Sequence, residues 1–170
     1  MDYDWYVVVN GTDLQQGDLI FNLDVPIVSE TVGEELPVKI ETLDTIVMTQ
    51  SCDIPKVAVE HIILCPVWDI REASNINSQF GDKRYLERVR KGQVFAFHLL
   101  NKCNLTGYNM NYTVVQFERI IVRPKETIIN ELASRGNHLR LLPPYREELA
   151  QRFGTFFSRV AKPKEITKFA

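Results

Sequence analysis

The sequence predicts a mainly β fold with α additions: a small, curved, antiparallel sheet or SH3-like barrel that carries a C-terminal helix. Three observations lead there. About six short apolar or β-branched runs fall within the first 122 residues, with turn signals between them. The early runs lie too close together for the crossover helices that a doubly wound parallel sheet requires. The clearest helical periodicity stands at the end of the chain.

Residues 5–9 (WYVVV) are aromatic and β-branched, and Asn10-Gly11 ends the run. Gly17-Asp18 opens a second strand at 19–23. Pro26 closes it or confines it to a sheet edge, because proline has no N–H for a ladder. Residues 29–36 (SETVGEEL) are polar and acidic and predict an exposed loop. Residues 38–43 alternate weakly. Residues 45–49 (TIVMT) and 60–67 (EHIILCPV) are continuously apolar or β-branched, as strands buried on both faces are. Between them, Gln50-Ser51-Cys52-Asp53 and then Pro55 turn the chain.

The middle reads as helical. Residues 69–80 have modest helical spacing. Residues 83–91 (KRYLERVRK) form a short basic helix ended by Gly92. Residues 94–100 predict a strand, and residues 101–111, with four asparagines and a glycine, a turn or long hairpin loop. Residues 113–122 (TVVQFERIIV) predict one strand stopped by Pro124. Residues 125–134 carry Ile128, Ile129 and Leu132 on one helical face, with Gly136 beyond. Pro143-Pro144 precede a helix over 145–160, proline being suited to a first helical turn. There Tyr145, Leu149, Phe153, Phe156, Phe157 and Val160 make one apolar stripe, which predicts a core or oligomer-facing side.

The chain has 170 residues, 45% hydrophobic and 25% charged, which is the composition of one ordinary globular domain. A disordered tail, a collagen-like fibre and a coiled coil are excluded on that ground. Cys52, Cys65 and Cys103 are an odd set without a close pair. They argue against a disulfide framework and a structural zinc site, and fit a reducing cytosol. No apolar run reaches the ~18 residues of a membrane span, and the N-terminus lacks the positive region of a signal peptide. A cytoplasmic location without membrane contact is therefore expected. The net charge of −2 hides an asymmetry: residues 1–60 carry 12 Asp and Glu against 2 Lys and Arg, and residues 61–170 carry 10 against 18. If the two halves segregate, the protein has an acidic face and a basic one; if they interleave, the charge is only a solvated surface.

No phosphate loop, zinc spacing, nucleophile elbow or histidine pair is present, so neither a metal nor another cofactor is expected. Candidate groups are scattered. Cys52 and Asp53 end a buried strand, where sites are often built; Cys52 is a nucleophile only if His61 or His98 lies beside it, and otherwise both residues cap a turn. His61 and His98 read as structural imidazoles or as acid–base groups, and His138 falls in a loop. Trp68 can stack on a base or cover the core edge. Lys83, Arg84, Tyr85 and Arg88, with Arg90 and Lys91, suit contacts to an RNA backbone or form a solvated helix face.

The order of these segments resembles the MazF/PemK-type toxin family. The residues that carry the likeness are GDLIF at 17–21, the acidic glycine-bearing loop at 29–36, TIVMTQSCDI at 45–54, HIILCPV at 61–67 and TVVQFERIIV at 113–122. The Lys- and Pro-bearing tail at 161–170 is expected to be flexible. The resemblance implies a single SH3-like barrel domain over residues 1–160, in which the helical insert at about 69–92 is longer than the family's. It implies a homodimer, an antitoxin or regulatory protein partner, and a toxin–antitoxin or antiviral defence system. It also implies cleavage of single-stranded RNA without metal, in which the 2′-OH attacks the adjacent phosphate while the protein supplies base, acid and cation. Arg119 matches the arginine of the family's penultimate strand and would stabilise the phosphate, with Asp53 or His61 as base. The family's other arginine falls on Asp44, its threonine or serine near Val67 or Trp68, and an acidic group on Val122. Two readings follow: a divergent ribonuclease with a rebuilt site, or a barrel without catalysis that acts as a binding module, the regulatory or effector partner of a defence or signalling complex.

Overall fold

A computed structural model describes residues 4–28 and 37–158. The acidic loop at 29–36 and the tail at 161–170 lie outside the described residues. The strands are β1 (Tyr6–Asn10), β2 (Asp18–Val28), β3 (Val38–Val47), β4 (His61–Asp69), β5 (Phe97–Leu100), β6 (Cys103–Leu105), β7 (Tyr108–Met110), β8 (Thr113–Gln116), β9 (Ile121–Pro124) and β10 (Asn137–Leu141). The helices are α1 (Lys83–Arg90), α2 (Lys125–Arg135) and α3 (Tyr145–Phe157). The fold is mainly β with α additions, as expected. The large antiparallel sheet runs β1-β10-β2-β3-β4-β8-β5, with β9 also on β4 and β6–β7 as a separate hairpin. Among the described residues β1 and β5 end that path without pairing to each other, so the sheet is open and no barrel closes.

Alternation explains the layers, because successive side chains of a strand point to opposite faces. On one face Leu19, Ile46, Cys65 and Leu139 pack with Phe117 and with Leu149 of α3. On the other, their neighbours Ile20, Val47 and Leu64 pack with Ile128 and Leu132 of α2. Each of these leucines and isoleucines is essentially inaccessible to water and contributes about 2 kcal/mol by burial. The apolar stripe of α3 is core: Tyr145, Phe153 and Phe156 join Leu149 there, while Phe157 is half exposed and Val160 lies outside the described residues. A third cluster of Phe80, Tyr85, Val89, Phe97 and Val114 holds α1 to the sheet.

Four expectations change. The strands expected at 38–43 and 45–49 are one, β3. The helix expected over 69–80 is two single 3₁₀ turns, Ala73–Asn75 and Ser78–Gly81. The Asn77 side chain accepts from the Gln79 N–H, a local bond that competes with helix propagation. The single strand expected at 113–122 is two, β8 and β9. Both pair with β4, and the register slips by three residues between Val67↔Val115 and Leu64↔Ile121. The wholly buried Phe117 stands in that break, its N–H donating to Ala96 O at 2.9 Å. Finally, β10 occupies the expected loop around His138 and lies between β1 and β2. Pro26 fits its edge reading: it pairs with Ile40 of β3, beyond the stretch of β2 that β10 covers. Among the described residues no helix is long and apolar enough to cross a membrane.

Candidate functional site

The predicted catalytic residues are not gathered in one place. Cys52 is exposed, and Asp53 is paired with Lys56 at 2.5 Å in the turn after β3. His61 opens β4, exposed, opposite Pro124. Arg119 stands in the β8–β9 connection and donates to Glu41 of β3 at 2.6 Å, which holds the Glu41 carboxyl below its ordinary range. Glu41 stands six residues before Val47, about 20 Å of extended chain, ahead of the Asp53 turn. Trp68 is half-buried between two core clusters, its indole N–H donating to Gln116 Oε1 at 3.1 Å. The other two cysteines are buried, and burial pushes the Cys65 thiol up to about 12.

The predicted RNA-binding helix divides. Asp82 caps α1 by accepting from the Arg84 N–H at 2.8 Å. Tyr85 is core rather than a stacking surface: its ring meets Phe80 edge-on and its hydroxyl accepts from Asn77. Arg84 and Arg88 are exposed, and Lys83 faces a cavity.

Among the described residues two cavities stand out, and neither is lined by Cys52, Asp53, His61, Trp68 or Arg119. The first, of about 470 Å³, opens on the α3 face of the sheet. Alternation brings Leu19 and Phe21 of β2, Asp44 of β3, and Val67 and Asp69 of β4 to its wall. Asp44 and Val67 thus share one hollow. The hairpin β6–β7 flanks it, Tyr108 OH donating to Asn137 Oδ1 at 2.8 Å. Asp44 Oδ1 accepts from the Asn22 N–H at 2.8 Å. Asn22 sits at the irregularity between β2 and β3 with φ +51°, a left-handed conformation that asparagine tolerates better than most residues. Arg135, from the end of α2, donates to Phe21 O at 2.5 Å and pairs with Glu131. Asp69 accepts from Arg71 and Asn111, and the Arg71 guanidinium holds its carboxyl down at about 2. Asp44 is the carboxylate of this wall with no ion pair among the described residues.

The second cavity, of about 670 Å³, lies between α1, β5 and α3. Lys83, Arg90, Lys91 and Arg152 face Glu87 and Glu148 there, with Trp5 and Tyr112 as aromatic wall. Glu87 is taken by Arg90 at 2.7 Å and Lys91 at 3.3 Å. Arg152 of α3 donates to Gly92 O at 2.5 Å and Val94 O at 3.3 Å, at the C-terminal end of α1, where a cation is favoured. His98 of β5 also lines the cavity. It is 6% exposed, and burial, with Arg152 nearby, pulls its pKa down to about 4. Its Nε2 has no hydrogen-bond partner among the described residues.

Sequence reasoning named Asp44 and His98, but not Asn22 or Arg152 as site residues. The asparagine-rich stretch at 101–111 was the available signal for the first cavity, since it supplies Asn109 and Asn111. The sequence's charge asymmetry was the signal for the second. Among the described residues no group of three His, Cys, Asp or Glu side chains is placed to hold a metal ion. No family model, no curated protein and no solved structure matches the chain.

Proposed function

We propose that this chain is a non-catalytic, MazF-like binding module, the regulatory or effector partner of another protein in a defence or signalling complex. The observation that carries the reading is Asp44. A carboxylate without an ion pair among the described residues stands in the cavity wall, at the position where the resemblance to the MazF/PemK-type family would put an arginine. A carboxylate repels the RNA phosphate that an arginine would draw in. It attracts a cation instead, and the neighbouring asparagine amides supply further hydrogen bonds. The ligand class this chemistry suits is a lysine or arginine side chain on a partner protein.

RNA cleavage needs base, acid and cation around one phosphate. Here Arg119 is held by Glu41 and Asp53 by Lys56, with much of β3 between them. The test is direct. The purified chain is incubated with mixed single-stranded RNAs, and its affinity for an arginine-containing peptide is measured alongside. Intact RNA, and peptide binding that Asp44→Asn abolishes, are the expected results. Discrete RNA fragments that disappear with Arg119→Ala overturn the reading. The exposed Arg84 and Arg88 favour one alternative, single-stranded RNA lying along α1 without being cut, whose mark is binding that weakens steeply with salt.

A further inference from the structure

The second cavity carries its own inference, independent of the binding reading for the first. Its residues combine three features that seldom occur together by accident. First, four cationic side chains face two carboxylates, and one of those carboxylates, Glu87, is already neutralised within α1. Second, Arg152 is held by two backbone carbonyls and makes no ion pair among the described residues, although Glu148 lies one helical turn away. Third, His98 keeps an unpartnered Nε2 while more than nine-tenths buried.

The same lining also has an apolar part. Trp5, Ile70, Leu86 and Tyr112 supply aromatic and aliphatic surface. Trp5 is itself fixed by face-to-face stacking on Tyr145, ring centroids 3.6 Å apart. Tyr112 carries Lys102 over its ring at 4.9 Å. The volume, about 670 Å³, falls within the range of roughly 300–1,000 Å³ usual for small-molecule sites.

We propose that this cavity binds a ribonucleoside 5′-phosphate, with Lys83 and Arg152 drawing in the phosphate and the base against the Trp5 and Tyr112 rings. Lys83 and Arg152 supply the charge, and the aromatic wall supplies stacking that tolerates any base. The same unit occurs free or at the 5′ end of an RNA strand.

Calorimetry with adenosine 5′-monophosphate, adenosine, and a trinucleotide RNA with a 5′-phosphate tests this on the full chain. The monophosphate binds and adenosine binds at least about tenfold more weakly, as loss of charge-assisted hydrogen bonds demands. Lys83→Gln, an exposed substitution that leaves the core intact, weakens the monophosphate by about the same factor. On binding, the imidazole nitrogen resonances of His98 shift. A trinucleotide that binds tighter than the monophosphate identifies an RNA end as the source; equal affinity identifies the free nucleotide. The proposal fails if neither phosphate compound binds at about 1 mM, if adenosine binds as well as its phosphate, or if Lys83→Gln binds like the parent.

Discussion

The Arg140 guanidinium grips Asp18 from the neighbouring strand, Nε to Oδ1 at 2.5 Å and Nη2 to Oδ2 at 3.0 Å, with the carboxylate wholly out of water. The register Arg140↔Asp18 sets the two opposite each other. The Gln15 N–H donates to the same carboxylate at 2.7 Å, and Asp13 accepts from Arg140 with both its side chain and its carbonyl. His138 Nε2 approaches Asp18 Oδ2 at 3.1 Å without hydrogen-bond alignment. This cluster locks β10 into the sheet.

Breaking it from one side leaves an unpaired buried charge. Asp18→Ala therefore lowers stability by about 3–5 kcal/mol, read as a drop in the urea midpoint. Replacing both partners, Asp18→Leu with Arg140→Met, costs clearly less than the single change, because no charge remains buried. A single variant as stable as the parent would show that β10 is held by its leucines alone.

His98 makes stability pH-dependent. Its pKa is about 4 in the fold, set by burial first and Arg152 second, against about 6.5 for a free imidazole. Between those values the unfolded chain holds a proton that the folded chain refuses. Stability therefore falls as pH drops through 6.5 and this contribution levels off below about 4, a loss of roughly 3 kcal/mol. Chemical denaturation at pH 7 and pH 4.5 reads it as a difference between parent and His98→Phe. The variant loses less on acidification; an identical loss in both would mean that the imidazole titrates normally.

Gly92 ends α1 at φ +68°, and a Cβ added there would lie 2.2 Å from Nη1 of Arg152. Gly92→Ala thus strains the backbone and displaces the guanidinium that ties α3 to α1. A loss of about 1–2 kcal/mol is expected in thermal denaturation. Adding Arg152→Ala to that variant costs little more, because the first change has already broken the contact.

Arg119→Ala removes the Glu41 pair from the surface of β3. Such half-exposed pairs are screened by solvent, so the melting curve stays where it was. RNA incubated with parent and variant remains equally intact if the chain is a binding module. Circular dichroism and gel electrophoresis read the two outcomes separately.

Much of the fold was legible in local pattern. TIVMT and HIILCPV announce buried strands because continuous apolar character leaves no solvent face. The α3 stripe and the Gly92 and Gly136 stops are equally local. β10 was not legible, since His138 and Arg140 interrupt its apolar period; they are tolerated inside only because Asp18 waits on β2, about 120 residues earlier in the chain. The break at Phe117 was hidden for a related reason: TVVQFERIIV is uniformly strand-like, and only the path of β4 requires it to split.

The sequence by itself determined the mainly β class, the C-terminal amphipathic helix, the basic α1 and the excess of acid in the first third of the chain. Those properties reside in composition and in periods of two or 3.6 residues, which need no partner to be read. Tertiary structure alone decided which charges stand free. Arg119 is neutralised by Glu41, 78 residues away in sequence, whereas Asp44 and Arg152 reach two cavities with no opposite charge paired to them among the described residues. Whether a charged group binds its own chain or a ligand depends on distances set by packing between segments remote in sequence, and no local pattern records them.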